Sequence, residues 1–184
     1  VLFAALGYGA FSLGRALRRA PELAGTPLQR PVAVGDVSLV NASGDVVRLS
    51  DFQAPVKLIF FGFTRCPDVC PLTMSRLANI YRDLGEPEAL QVIMITVDPA
   101  FDTPEVIQRY AAAFHPSFVG LSGSNSDVAR AAQTFFVGYQ SIDEANFTHT
   151  DAVFVVDAAN RFHRIYNQSN LRYLAADLAV LLAN

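Results

Sequence analysis

The chain has only two cysteines, Cys66 and Cys70, and they sit close together in Cys66-Pro67-Asp68-Val69-Cys70-Pro71. Two cysteines cannot build a disulfide framework, so a buried core must hold the fold, and the short spacing points to a redox pair or a metal site. Pro67, Asp68 and Pro71 give the segment turn chemistry, which cysteines filling a core gap as small hydrophobes would not need. The motif follows the apolar run Val56 to Phe63 and precedes a helical pattern. Unpaired amides and the dipole at such a helix start favour negative charge, so the expected thiol pKa is below that of free cysteine.

Three residues separate the cysteines, whereas thioredoxin-type dithiols use two. The wider bite permits a disulfide and also suits two thiolates sharing one soft ion, Cu(I) or Zn(II). Two sulfurs leave such an ion short of ligands, so a third is expected among His115, His149 and His163. In a thioredoxin-like arrangement, strand Ala152 to Val156 would lie antiparallel to strand Val56 to Gly62. His149 would then stand beside the end of the cysteine-bearing strand and is the favoured ligand, with Thr150 or Asp151 orienting its ring. His163 would fall at the opposite end. His115 precedes Pro116 at a helix end, where capping of terminal carbonyls accounts for it.

The elements that must position these residues read as alternating strands and helices. Val32 to Phe52 alternates polar and apolar residues around Asn41-Ala42-Ser43-Gly44-Asp45, the pattern of a β-hairpin. Val56 to Phe63 and Gln91 to Val97 are continuous apolar runs of strand length, as strands buried on both faces require. A helix is expected from about Pro71 to Leu84, stopped by Gly85 and Pro87. Thr103 caps a second helix that runs to about Phe114. A short strand at Phe118 to Leu121 and a helix from Ser126 to Phe136 follow. A hairpin formed by Ala152 to Val156 and Phe162 to Tyr166, then a closing helix from Leu171 to Leu182, complete an α/β layered domain. The block Asp98 to Glu105 reads as a strand exit and a helix start, or as a partner-binding face near the metal. Phe135, Phe136 and Tyr139 read as core and loop packing.

The chain of 184 residues fits one domain with a short extra segment. Its hydrophobic fraction of 52% is high, and the uncharged stretch Val1 to Leu13 carries much of the excess. Residues 1–20 are expected to be part of a membrane anchor or signal segment, with Arg15, Arg18 and Arg19 after the apolar run. Residues 21–31, bounded by prolines, read as a linker, and residues 32–184 as the domain. A net charge of -3 leaves no basic footprint for nucleic acid.

The stretches FFGFTRCPDVCPLTM, TVDPAFDTPE and FTHTDAVFVVD together resemble the Sco/SenC family of copper-binding cytochrome c oxidase assembly proteins. The resemblance spans roughly Pro31 to Asn184. It implies a thioredoxin-like fold, anchored by an amino-terminal segment and facing the periplasm or the intermembrane space. It also implies one copper per chain, Cu(I) or Cu(II), held by Cys66, Cys70 and His149. Asp68 would act outside the coordination sphere or in partner docking. Partners would be cytochrome c oxidase subunit II or another copper protein, together with other copper chaperones or thiol reductases. Phe101 stands where the family commonly has arginine, and Thr148 and Thr150 flank the histidine where Asp and Ser are usual. The leading expectation is a copper metallochaperone, and the alternative is a thiol–disulfide oxidoreductase using the same cysteines. A thiol peroxidase would need a polar cradle that only Arg65 supplies in sequence, and a structural zinc fits an incomplete ligand set poorly.

Overall fold

The structure, a computed structural model, describes residues 22–141 and 147–183. The segment read as a membrane anchor lies outside the described residues. In chain order, strands β1 (Thr26–Ala33), β2 (Ser38–Val40) and β3 (Val46–Arg48) precede β4 (Val56–Gly62) and helix α1 (Val69–Asp83). Strand β5 (Leu90–Thr96), helix α2 (Pro104–Phe114), strand β6 (Val119–Leu121) and helix α3 (Asn125–Thr134) follow. The chain then forms β7 (Tyr139–Ser141), β8 (Phe147–His149), β9 (Ala152–Val156), β10 (Arg161–Asn167) and helix α4 (Leu174–Leu182).

The two continuous apolar runs become the centre of a six-stranded sheet of order β1-β10-β9-β4-β5-β6. Every residue of β4 is buried, as a strand covered on both faces must be. Strands β4, β5 and β6 are parallel, while β9 runs antiparallel to β4 with Phe60 opposite Val153. The expected thioredoxin-like arrangement is therefore present. Behind the sheet, Phe135 packs against Phe154 and Phe162 with ring centroids 5.5 and 5.2 Å apart.

The expected amino-terminal hairpin is the pair β2–β3, with Leu39 opposite Val47. Its turn is held by Asn41, whose side-chain oxygen accepts from the amides of Ser43 and Asp45, both at 2.9 Å, while Gly44 takes φ 83°.

Two boundaries differ from the sequence reading. The stretch expected to be a linker contains most of β1, which pairs antiparallel with β10. Its prolines, Pro27 and Pro31, disguise it in sequence, but an edge strand tolerates residues without an N–H. The pairing register shifts between Pro27 and Val32, so the strand accommodates them with an irregularity. Helix α1 begins at Val69 instead of near Pro71, which places Cys70 inside the first helical turn. Thr103 caps α2 as expected, accepting from the Val106 amide. Phe136 packs only its edge, with its ring 6.3 Å from that of Phe162, while it is 66% exposed and adopts φ 58° just beyond the end of α3.

Gly120 in β6 lies against α2, where an added Cβ would fall within van der Waals contact of the Ile107 carbonyl group and the Gln108 amide. Backbone on both sides leaves nothing flexible to yield. Gly120→Ala is expected to destabilise the domain by about 1–3 kcal/mol, as overpacking typically does, measured as a lower denaturant midpoint at unchanged slope.

Candidate metal centre

The site forms where β4 ends. Gly62 closes the strand, a loop from Phe63 to Asp68 carries Cys66, and Cys70 sits in the first turn of α1. A Cβ at Gly62 would lie 3.0 Å from Cys70 Sγ, so the glycine lets that sulfur pack directly on the strand. The Cys70 amide, one of the unpaired donors of the helix start, points at Cys66 Sγ at 3.4 Å. Both cysteines are free.

His149 arrives from the other side of the sheet centre. It ends β8, which pairs with β7 so that Tyr139 faces His149. The Thr150 amide donates to the Gly138 carbonyl at 2.9 Å, pinning the hairpin base. His149 Nε2 stands 3.5 Å from Cys70 Sγ, and its ring meets Phe60 and Phe63 edge-on at 6.2 and 6.0 Å.

The tautomer follows from the ring's second contact. His149 Nδ1 lies 3.1 Å from the Thr150 carbonyl oxygen. A carbonyl can only accept, so Nδ1 carries the proton and the Nε2 lone pair faces the sulfurs. Thr150 thus orients the ring through its backbone. Asp151 does not touch the ring; its carboxylate accepts from Gln168 at 2.6 Å and from Thr73 at 3.5 Å.

The two sulfurs and the imidazole nitrogen all lie within 4.8 Å of one another, and no other such group of three or more occurs among the described residues. That spacing is close to what an ion with bonds of about 2.0–2.3 Å requires. His115 and His163 are elsewhere, as expected. His115 contacts Ser117 and Glu86 through its two nitrogens at 2.8 and 3.4 Å and packs against Tyr81. His163 is half-buried in β10, where burial lowers its pKa.

The expected lowering of the thiol pKa fails at Cys70. Cys70 is 0% exposed, and burial pushes its pKa far above the usual thiol range, with the neighbouring Cys66 adding to the rise. Loss of hydration outweighs the helix start. A metal ion placed between the sulfurs would supply the missing positive charge directly.

Sequence reasoning read Asp98 to Glu105 as a strand exit and helix start, or as a partner-binding face near the metal, and missed its main contacts. Asp98 and Asp102 are buried acids that grip the cysteine loop. Arg65 donates to Asp98 at 2.6 Å and its guanidinium lies over the Phe101 ring at 4.3 Å. Thr64 donates to Asp102 through both its amide, at 3.0 Å, and its hydroxyl. The available signal was two acids four residues apart just beyond a buried strand with an apolar centre. Asp68 stands at the N-cap of α1 without making a capping bond.

Comparison with known proteins places these observations in a wider set. The SCO1/SenC family profile matches residues 26–182. The chain is 30% identical over 135 residues to the SCO2-like protein of Rickettsia felis, covering 70% of this chain and 66% of that one. It is 35% identical over 149 residues to the mitochondrial SCO2 homolog of Homo sapiens, covering 77% and 56%. The chain therefore spans two thirds or less of the length of these relatives. Among solved structures, apo Sco1 from Thermus thermophilus aligns with a TM-score of 0.75 at 43% identity, covering 89% of this chain and 98% of that one. ScoI of Bradyrhizobium japonicum, solved with copper bound, aligns with a TM-score of 0.68 at 29% identity, covering 84% and 97%.

The burial of Cys70 sets a reactivity order. In reduced, metal-free protein, iodoacetamide is expected to modify Cys66 at least about tenfold faster than Cys70, because only a thiolate in reach of solvent attacks. The Cys70 rate should keep rising between about pH 7 and about pH 10, since its thiol stays mostly protonated across that range. Peptide mapping by mass spectrometry measures both rates, and equal rates at neutral pH would contradict the assignment.

Proposed function

We propose that this chain, which belongs to the SCO1/SenC family, binds one copper ion between Cys66, Cys70 and His149 and delivers it during assembly of the dinuclear copper site of cytochrome c oxidase. The observation that carries the reading is the convergence of two thiols and an Nε2 lone pair within 4.8 Å. Thiolates select a soft ion, and imidazole suits copper in either oxidation state. The copper-bound Bradyrhizobium japonicum relative supports the choice of metal.

The three ligands divide the work of holding and releasing an ion. Cys70 is enclosed by the core and fixed in a helix, so it serves as the anchor. Cys66 is 9% exposed on a loop, and His149 is partly exposed on a hairpin. Three protein ligands leave room for an incoming thiolate or imidazole of a partner, so handover proceeds by stepwise exchange from the exposed side. Cys66 and His149 are released before Cys70. Partners on this reading are subunit II of the oxidase or another copper protein, with copper chaperones or thiol reductases upstream. Asp68, exposed and making no cap, is a docking contact.

A second reading has its own support. The cysteines are unbonded and close, so the pair also suits thiol–disulfide exchange that reduces cysteines of the copper-site subunit. An exported dithiol must be reduced before it can take metal, so this chemistry accompanies the first reading in any case. No helix among the described residues is long and apolar enough to cross a membrane. We assign membrane anchoring to residues 1–20 and the domain to the periplasm or intermembrane space, on the composition of that segment and the mitochondrial relatives.

Anaerobic Cu(I) titration of the reduced chain separates the readings. One copper per chain is expected. Cys66→Ala should abolish tight binding, and His149→Ala should weaken it by roughly 100-fold or more, exceeding what loss of an outer-shell partner costs. Full-affinity binding by His149→Ala, with thiol reductase activity intact, would leave the oxidoreductase reading standing alone.

A further inference from the structure

The two sulfurs are held by different means. Cys70 belongs to a helix and a core, whereas Cys66 lies in the loop between β4 and α1. The Cys66 amide donates to the Phe63 carbonyl at 3.3 Å. The Cys66 sulfur also accepts from the Cys70 amide at 3.4 Å, and the two residues before it tie the loop to the far side of the site.

Thr64 donates its amide to Asp102 Oδ2 at 3.0 Å and its hydroxyl to Asp102 Oδ1. Thr96, the last residue of β5, donates its hydroxyl to Asp102 Oδ2 at 2.7 Å. The Asp102 backbone is held in turn, since its carbonyl accepts from Ser122 Oγ at 2.6 Å and its amide donates to the Asp98 carbonyl at 2.9 Å. Asp102 is 0% exposed. Burying a carboxylate costs several kcal/mol unless hydrogen bonds replace its water. Helix initiation does not explain that cost, because the neighbouring Thr103 caps α2 by itself. The donors that offset it come from the cysteine loop and from the strand beside the site. Arg65 adds a second, more exposed tie through Asp98.

We infer that Asp102 is a positioning residue for the metal centre: its buried carboxylate locks Thr64 to the end of β5 and so sets Cys66 against Cys70 and His149. The inference rests on the copper reading for its role, but the juxtaposition it describes also governs the dithiol alone. Loss of the carboxylate leaves the Thr64 amide without its partner and the loop free to move. The expected result is a weaker site in a protein that still folds.

The test compares Asp102→Ala, Asp102→Asn and Thr64→Val with the unaltered chain, at a temperature well below each unfolding midpoint. Asp102→Ala is expected to lower Cu(I) affinity by roughly tenfold or more, the range seen when groups supporting metal ligands are lost. It should also alter the thiolate-to-Cu(II) charge-transfer band and change the dithiol–disulfide equilibrium tenfold, a midpoint shift of about 30 mV. Asp102→Asn keeps an oxygen for the Thr64 amide and Thr96 and can donate to the Thr64 hydroxyl, so it should restore most of each quantity. Thr64→Val removes one bond without touching Asp102 and should fall between; it carries the test if Asp102→Ala does not fold. Folded variants with lower unfolding midpoints but unchanged affinity, band and potential would overturn the inference and leave the copper reading intact. If the unaltered chain binds no copper through thiolate while the potential still shifts in Asp102→Ala and recovers in Asp102→Asn, positioning stands and the copper reading fails.

Discussion

The sulfur of Cys70 has been taken into the core, and much of the surrounding structure answers that burial. A thiol without solvent strongly resists ionisation, so its use as a ligand depends on a positive charge arriving within bonding reach. Glycine at position 62 gives the sulfur its room, because a Cβ there would crowd it at 3.0 Å. The helix that carries it must begin early enough to bring its unpaired amides to the second sulfur, and the Cys70 amide does point at Cys66. Sheet centre, glycine and helix start thus form one unit around a buried sulfur.

Around that fixed point the other two candidate ligands stand on segments held from outside. The cysteine loop is tied to the end of β5 by Asp102 and Asp98, and the histidine hairpin is closed by the pairing of Gly138 with Thr150. Loops beyond the strand ends of an α/β sheet are where such domains place their chemistry, and here those loops come from two directions because β9 runs against β4. Antiparallel entry is what brings residue 149 to the same end as residue 66, despite the long stretch of chain between them.

The central strands were legible because burial on both faces writes a continuous apolar run, and the cysteine motif because turn residues flank it. His149 was legible through the strand arrangement. Strand β1 was hidden by Pro27 and Pro31, which read as linker chemistry although an edge strand accommodates them. The role of Asp98 and Asp102 was hidden for a different reason. Acidic residues at a strand exit look like helix initiation, and only the three-dimensional fold reveals that their partners lie some thirty to forty residues earlier in the chain. The pKa of Cys70 was misjudged for the same reason, since the helix start is a local feature and the desolvation that outweighs it is not.

The placement of His149 bears on what the dithiol is for. A histidine beside a thiol can act as a base that raises its nucleophilicity, as in thiol enzymes. Here the Nε2 lone pair faces Cys70, the sulfur with no exposed surface. Activating a sulfur that no substrate disulfide can reach would serve little purpose in exchange chemistry. The less deeply buried cysteine, Cys66, is instead served by the Cys70 amide and by a loop clamped from behind. An imidazole nitrogen aimed at a buried sulfur is better employed as the third corner of a coordination site, where it and both sulfurs act on one ion. On that argument the geometry favours the copper-binding reading proposed above over disulfide exchange as the main use of the site.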